Sequence, residues 1–306
     1  MGVLIDGVWR DEELPQETGG GGEFRRAASR FRERITADGS SGFKAEAGRY
    51  HLYAAWNCPW AHRVLIFRVL KKLEPAISVA YADPALREQG WTFDEDPANG
   101  FRYLHQAYTA SEPRYTGKVT VPALWDRKTR RIVNNESSEI IRMLNSEFRG
   151  IAGDDTDYYP EPLRAQIDEV NELVYSRINN GVYRCGFAKT QQAYEEAYDI
   201  LFDALDQLEE RLSKSRFLVG ERLTEADWRL FPTLVRFDPA YFSVFRCNKK
   251  HIADYPNLSR YLRELYRVPG IAATVKPRHY VIGYWSIRKV NPSGIIPKGT
   301  YAPYAA

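Results

Sequence analysis

From Arg49 to Ala55 the chain alternates, with Tyr50, Leu52 and Ala54 on one side and His51 and Tyr53 on the other, which predicts a strand. Pro59 then stands where a helix would open, and Trp60 to Leu73 carries Ala61, Val64, Leu65 and Val69 on one face of a helix-length run. Ile77 to Ala82 reads as a second strand, and Val121–Asp126 with Arg131–Asn134 as a hairpin pair. Glu136 to Phe148 reads as a helix, opened by Asn135, Glu136, Ser137 and Ser138. The order is β-α-β, then β-β-α, and the crossover helix predicts that the first two strands run parallel. Residues 83–117 lie between the second and third strands as a long excursion with little periodicity.

Gly, Asp and polar residues from Gly150 to Tyr159, with Pro160 and Pro162 beyond, mark a boundary. After it strand signals fade. Pro162–Asn179, Gln191–Lys214, Thr224–Phe237 and Pro256–Leu265 read as helices, with a capping box at Thr224 to Asp227. Four segments follow: an irregular N-terminal extension over 1–48, an α/β domain over 49–150, an all-helical domain over 160–278 and an aromatic, Pro/Gly-rich tail over 279–306. Within the extension, Gly19 to Gly22 reads as a flexible connector, since no Lys-Ser/Thr follows to make a phosphate loop. Phe24 to Ile35 is basic and reads as a short helix; a solvated face or a segment draped over the domain competes there with an anion site.

The length of 306 residues suits two domains. Hydrophobic residues at 44% and charged residues at 27% are those of a globular chain. A net charge of +3 gives no reason to expect a nucleic-acid or membrane partner. No apolar run reaches the ~18 residues of a membrane span, and the acidic N-terminus is unlike a signal peptide, so a cytoplasmic location is expected. Three cysteines and five scattered histidines support neither a disulfide framework nor a metal site, and no metal is expected.

Cys58 follows a predicted strand and precedes a helix in Trp56-Asn-Cys-Pro-Trp-Ala-His-Arg63. There the free N–H groups and the positive end of the helix dipole favour thiolate, below the free value of about 8.5. Thiolate is the attacking species in disulfide exchange. Position 61 is Ala, so no second Cys completes a C-x-x-C pair and the resolving thiol must be external. The bland reading is a buried, inert Cys, which is how Cys185 and Cys247 are read. Val121-Pro122 is either a cis turn, whose Val121 backbone could pair with an extended peptide, or an ordinary strand-start Pro. Glu136-Ser137 at a helix start suits either a ligand's ammonium and carboxylate or plain capping. Together these three positions describe a pocket for a small zwitterionic thiol peptide.

The element order, Cys-Pro opening the first helix, Val-Pro before the third strand, Glu-Ser opening the next helix and a helical C-terminal domain resemble a cysteine-type glutathione transferase. Further motifs narrow the resemblance to the glutathionyl-hydroquinone reductases, the Xi class. They include Asp38-Gly-Ser-Ser-Gly-Phe43, Gly90-Trp-Thr-Phe93, Thr120-Val-Pro-Ala-Leu-Trp-Asp126, Val133-Asn-Asn-Glu-Ser-Ser-Glu-Ile140, Gly181-Val-Tyr-Arg-Cys-Gly-Phe-Ala188, Arg236-Phe-Asp238 and Asn291-Pro-Ser-Gly-Ile-Ile-Pro297. The resemblance implies a thioredoxin-like N-terminal domain, a homodimer, glutathione as co-substrate and quinone-derived aromatic substrates. It implies that Cys58 attacks the sulfur of a glutathionyl-hydroquinone and that a second glutathione resolves the mixed disulfide. Glutathione contacts carried over are Trp91, Val121 with Pro122, Glu136 and Ser137, with Arg114 or Lys118 as a cation; the family tends to have Arg where Lys118 stands. Pro59 and Trp60, beside the nucleophile, are expected on the substrate side.

Tyr183 matches one substrate-site tyrosine. For the second, counting back from Asn291 picks Tyr284 and counting forward from His279 picks Tyr280; Ser286 in register favours Tyr284. The family's His after that Ser is Ile287 here. Two other readings compete. One is an omega-like thiol transferase or dehydroascorbate reductase using the same Cys58. The other is a non-catalytic interaction module, against which the intact surroundings of Cys58 argue.

Overall fold

The computed structural model describes residues 2–12 and 18–305; residues 1, 13–17 and 306, parts of the predicted extension and tail, lie outside the described residues. The chain divides into two units, one of residues 2–12 and 27–156, the other of 18–26 and 157–305.

In chain order the first unit runs β1 (Val3–Ile5), β2 (Val8–Arg10), β3 (Tyr50–Ala54), α1 (Pro59–Leu70), β4 (Ile77–Tyr81), α2 (Leu104–Ser111), β5 (Gly117–Lys118), β6 (Ala123–Asp126), β7 (Arg131–Asn134) and α3 (Ser137–Ser146). The main sheet has the order β4-β3-β6-β7. β3 and β4 are parallel, as the crossover requires, while β6 is antiparallel to both β3 and β7. α1 packs against α3, and α2 against β7. All five residues of β3 are therefore buried, so its alternation does not separate core from solvent. The side carrying His51 and Tyr53 instead holds a polar network. Tyr53 donates to Asp96 at 3.0 Å, Asn99 donates to Tyr53 at 2.8 Å, and Asp96 also accepts the backbone N–H groups of Ala98 and Phe101. At the other end of β3, Arg49 grips the buried Asp126 of β6 through two 2.8 Å bonds.

Three readings of this half need correction. Residues 3–10 form a hairpin, and β1 also pairs with β5. Three-residue strands are too short to show periodicity. Phe24–Ile35 is extended, not helical. Its second half covers the exposed edge of β7: Glu33 N–H donates to Val133, Asn134 donates to Glu33, and Arg30 and Arg32 pair with Glu112 and Glu139. The basic residues are held by partners on the sheet and α2–α3 rather than by helical spacing. The excursion 83–117 holds α2, whose start is capped by Gln106 accepting the N–H of Tyr103.

The second unit contains α4 (Arg164–Leu173), a π-turn (Val174–Asn179), α5 (Gly181–Phe187), α6 (Gln191–Lys214), α7 (Glu225–Arg236), a second π-turn (Phe237–Tyr241), α8 (Phe242–Val244), α9 (Pro256–Tyr266) and α10 (Pro277–Trp285). α6 has the predicted bounds. α7 starts on the Thr224–Asp227 capping box, and every residue in it except Arg229 is buried. A helix enclosed on all sides is the core of its bundle. The tail is not irregular at its start: His279 to Trp285 belong to α10, opened by Pro277. Residues 18–26 run against this unit, with Gly22 accepting from Lys189 N–H.

Candidate active site

Strand directions gather the thiol chemistry at one end of the main sheet. β3, β4 and β7 point one way and β6 the other. The ends of β3, β4 and β7 and the start of β6 therefore share that end, and Cys58, the Trp91 loop, Ser137 and Val121 follow or precede them directly. Cys58 is the residue just before α1, in extended conformation, with Pro59 at the first helical position. Cys58 is 9% exposed, and its thiol donates to Val121 O at 3.3 Å. The Val121-Pro122 bond is cis.

Glu136 caps α3: its carboxylate accepts from Ser138 N–H at 3.1 Å, Ser138 Oγ at 2.9 Å and Ser29 Oγ at 3.0 Å. Ser137 caps nothing. It is 2% exposed, and its Oγ is buried with no hydrogen-bond partner among the described residues. A buried hydroxyl without a partner is costly in a folded chain, and one beside a helix N-terminus is suited to a ligand carboxylate. Trp91 is half-buried, and its carbonyl accepts from Leu104 N–H at the start of α2. Trp60 is half-buried under the guanidinium of Arg63, 4.7 Å from its ring.

The two candidate cations lie at and just before β5. Arg114 is exposed and pairs at 2.6 Å with Asp6, in the turn between β1 and β2. The N-terminal hairpin, absent from the sequence reading, supplies that partner. Lys118 lies in β5 opposite Val3, and its carbonyl accepts from Tyr115.

In the second unit the tyrosines form a chain of hydroxyls. Tyr183 of α5 lies 2.9 Å from Tyr284 of α10, and Tyr284 lies 2.7 Å from Tyr241, at the end of the second π-turn. Burial pushes the phenols of Tyr284 and Tyr241 well above 10, so both stay protonated at neutral pH. Phe24, Phe187 and Phe245 pack around Tyr183, and Arg26 lies 4.6 Å over its ring. Gly186 permits this packing, since a Cβ there would stand 2.5 Å from the Phe245 ring. Tyr280 does not join the cluster. It is fully buried beneath the Arg236 guanidinium, 4.0 Å from its ring, and its hydroxyl accepts from Lys276 N–H. Tyrosines 280 and 284 are four residues apart, yet only the second meets Tyr183.

Tyr241, Phe24, Arg26 and Phe245 were not singled out from sequence. Tyr241 stands three residues beyond the Arg236-Phe-Asp238 motif, but only the π-turn aims it at Tyr284. Cys185 and Cys247 are fully buried and in contact, and burial followed by Cys185 pushes the Cys247 thiol well up, which suits packing rather than reaction.

Comparison with known proteins agrees with this architecture. Residues 57–147 match the family model of the glutathione S-transferase N-terminal domain, and residues 191–264 that of the C-terminal domain. The chain is 54% identical to glutathionyl-hydroquinone reductase PcpF of Sphingobium chlorophenolicum, over 99% of this chain and 97% of the relative. It is 49% identical to glutathionyl-hydroquinone reductase YqjG of Escherichia coli, over 98% and 96%. The glutathione-bound structure of YqjG superposes with a TM-score of 0.91 at 46% identity, covering 100% of this chain and 97% of the other. A Xi-class transferase from Natrialba magadii superposes with a TM-score of 0.93 at 42% identity, covering 100% and 95%. The chain belongs to the Xi class of glutathione transferases, the family of the glutathionyl-hydroquinone reductases.

Proposed function

We propose that this chain reduces glutathionyl-hydroquinones to hydroquinones, with glutathione as the reductant. Cys58 thiolate attacks the glutathionyl sulfur. The S–C(aryl) bond breaks, its electron pair stays on the ring carbon, and that carbon takes one proton. Cys58 is left in a mixed disulfide with glutathione. A second glutathione thiolate then attacks the glutathionyl sulfur, Cys58 thiolate leaves, and oxidised glutathione departs.

The observation that carries the reading is that Cys58 is the sole cysteine of its unit and sits at the start of α1. With no resolving thiol beside it, the chemistry calls for an external one. In this reading Val121, with Pro122, pairs with the peptide backbone of glutathione, Ser137 and the N-terminus of α3 take a carboxylate, Glu136 takes the ammonium, and Trp91 covers the peptide. Arg114, paired with Asp6 on the surface, or Lys118 supplies the cation. Tyr183 and Tyr284 orient the ring and supply the proton; Pro59 and Trp60 belong to the substrate side. A cytoplasmic homodimer completes the reading: the dimer rests on family resemblance, the location on the sequence.

The test is turnover of a glutathionyl-hydroquinone by wild type and Cys58→Ser, with the protein's mass recorded. Hydroquinone release and a glutathione adduct on Cys58, both lost in the variant, are expected. Retained turnover in Cys58→Ser would sink the reading. Replacing Tyr183 and Tyr284 by Phe should damage hydroquinone release and spare a small disulfide substrate; equal loss of both would make the tyrosines structural and leave a general thiol transferase.

A further inference from the structure

We propose that Tyr241, through Tyr284, is a positioning residue that sets the direction of the three-hydroxyl chain and strengthens Tyr183 as a proton donor. The proposal rests on the reading of Tyr183 as donor, but its decisive readout does not depend on turnover.

The argument is one of satisfied hydrogens. Tyr241 is fully buried, and within hydrogen-bond distance its hydroxyl meets only that of Tyr284, at 2.7 Å, among the described residues. Tyr284 is 4% exposed, and its hydroxyl meets Tyr241 and Tyr183. Tyr183 is half-buried and the most open member of the chain. A phenol has one hydrogen to give, and a buried hydroxyl hydrogen without an acceptor is costly. If Tyr183 gave its hydrogen to Tyr284 and Tyr284 gave its own to Tyr241, the hydrogen of Tyr241 would be enclosed with nothing to receive it. The opposite direction satisfies every buried hydrogen: Tyr241 donates to Tyr284, and Tyr284 donates to Tyr183. Tyr183 is then left with its own hydrogen directed out of the chain.

The same direction serves proton donation. When Tyr183 gives up its hydrogen, charge develops on its oxygen, and Tyr284 already points a hydrogen at it. Tyr241 polarises Tyr284 in turn, so the charge is shared along the chain. Tyr241 touches no substrate in this account and acts only through Tyr284. Its ring is fixed independently of its hydroxyl, stacked on Phe245 at 5.3 Å and 12° and set edge-on to Tyr284 at 4.9 Å. Tyr241→Phe therefore removes one hydroxyl and keeps the packing.

The experiment uses the full chain with a difluorotyrosine in place of Tyr183, whose lowered phenol pKa allows titration at a pH the fold tolerates. Fluorine NMR follows its ionisation. Tyr241→Phe should raise that midpoint by about half a unit or more. In a Tyr284→Phe background the same substitution should add nothing, because the link is gone. An unchanged or lowered midpoint overturns the proposal, as does an equal shift in the Tyr284→Phe background, which would make Tyr241 act directly. In the unlabelled enzyme Tyr241→Phe should lower kcat roughly tenfold with little change in KM. If Tyr183→Phe leaves hydroquinone release intact, the donor reading fails, and the titration still decides the direction of the chain. An unchanged circular dichroism spectrum and melting curve would separate these effects from misfolding.

Discussion

Ser137→Ala separates binding from folding by the sign of two effects. In the structure Ser137 is 2% exposed and its hydroxyl bonds to nothing among the described residues, while Glu136 performs the capping of α3. A buried, unsatisfied hydroxyl costs about 1–3 kcal/mol. Its removal should therefore leave the ligand-free protein at least as stable, with a Tm unchanged or raised by a few degrees. Binding should move the other way. A hydrogen bond to a charged carboxylate contributes roughly 1.5–3 kcal/mol, and about 1.4 kcal/mol is a factor of ten, so Kd for glutathione should rise about 10- to 150-fold. Calorimetric titration of glutathione in a Cys58→Ser background, beside thermal melts of the same proteins, gives both numbers. The gain in Tm on adding glutathione should shrink correspondingly. A fall in ligand-free Tm with unchanged affinity would refute the argument and make Ser137 a structural residue.

Two further outcomes concern the scaffold. Asp126→Asn leaves the buried guanidinium of Arg49 with Glu46, 3.6 Å away, as its countercharge among the described residues, and should cost about 3 kcal/mol in urea unfolding. Burial, the largest single influence, would raise the Asp126 pKa, but the hydrogen bonds from Arg49, Thr129 and Lys128 N–H and the Arg49 charge together hold the carboxyl below its ordinary value. Its contribution is complete above the unfolded value of about 3.9 and is lost as pH falls through the lower folded one, so the variant should show a shallower acid limb. Burial lowers the pKa of His51 from 6.5 to about 4, against a weaker raising effect of Asp96. Stability should then decline as pH falls from about 6.5 toward 4, because the unfolded chain takes up a proton that the folded one refuses. His51 ring signals that titrate near 6.5 in NMR spectra of the folded protein would contradict this.

Long, strongly patterned elements were legible without a structure. Gln191–Lys214 has an amphipathic stripe and end signals sharp enough to give its bounds, and the Thr224–Asp227 capping box works within four residues. Cys58 was readable for the same reason, since strand, Cys, Pro and helix are consecutive and local. The hairpin at 3–10 was not, and at 24–35 a draped course could be named but not told from a helix, because pairing with a distant strand leaves no period in the strand itself.

The site divides along the same line. Sequence by itself determined the residue types at each helix start and the absence of a second thiol beside Cys58, which are facts of neighbouring positions. Only tertiary structure decided that the hydroxyl of Ser137 is left without a partner, that Arg114 turns to Asp6, and that Tyr284 rather than Tyr280 meets Tyr183. Tyr241, 58 positions from Tyr183 and 43 from Tyr284, joins them through a π-turn that no local pattern announces. Each of these depends on which side chains packing brings together across long separations, and chain-local propensity carries no record of that.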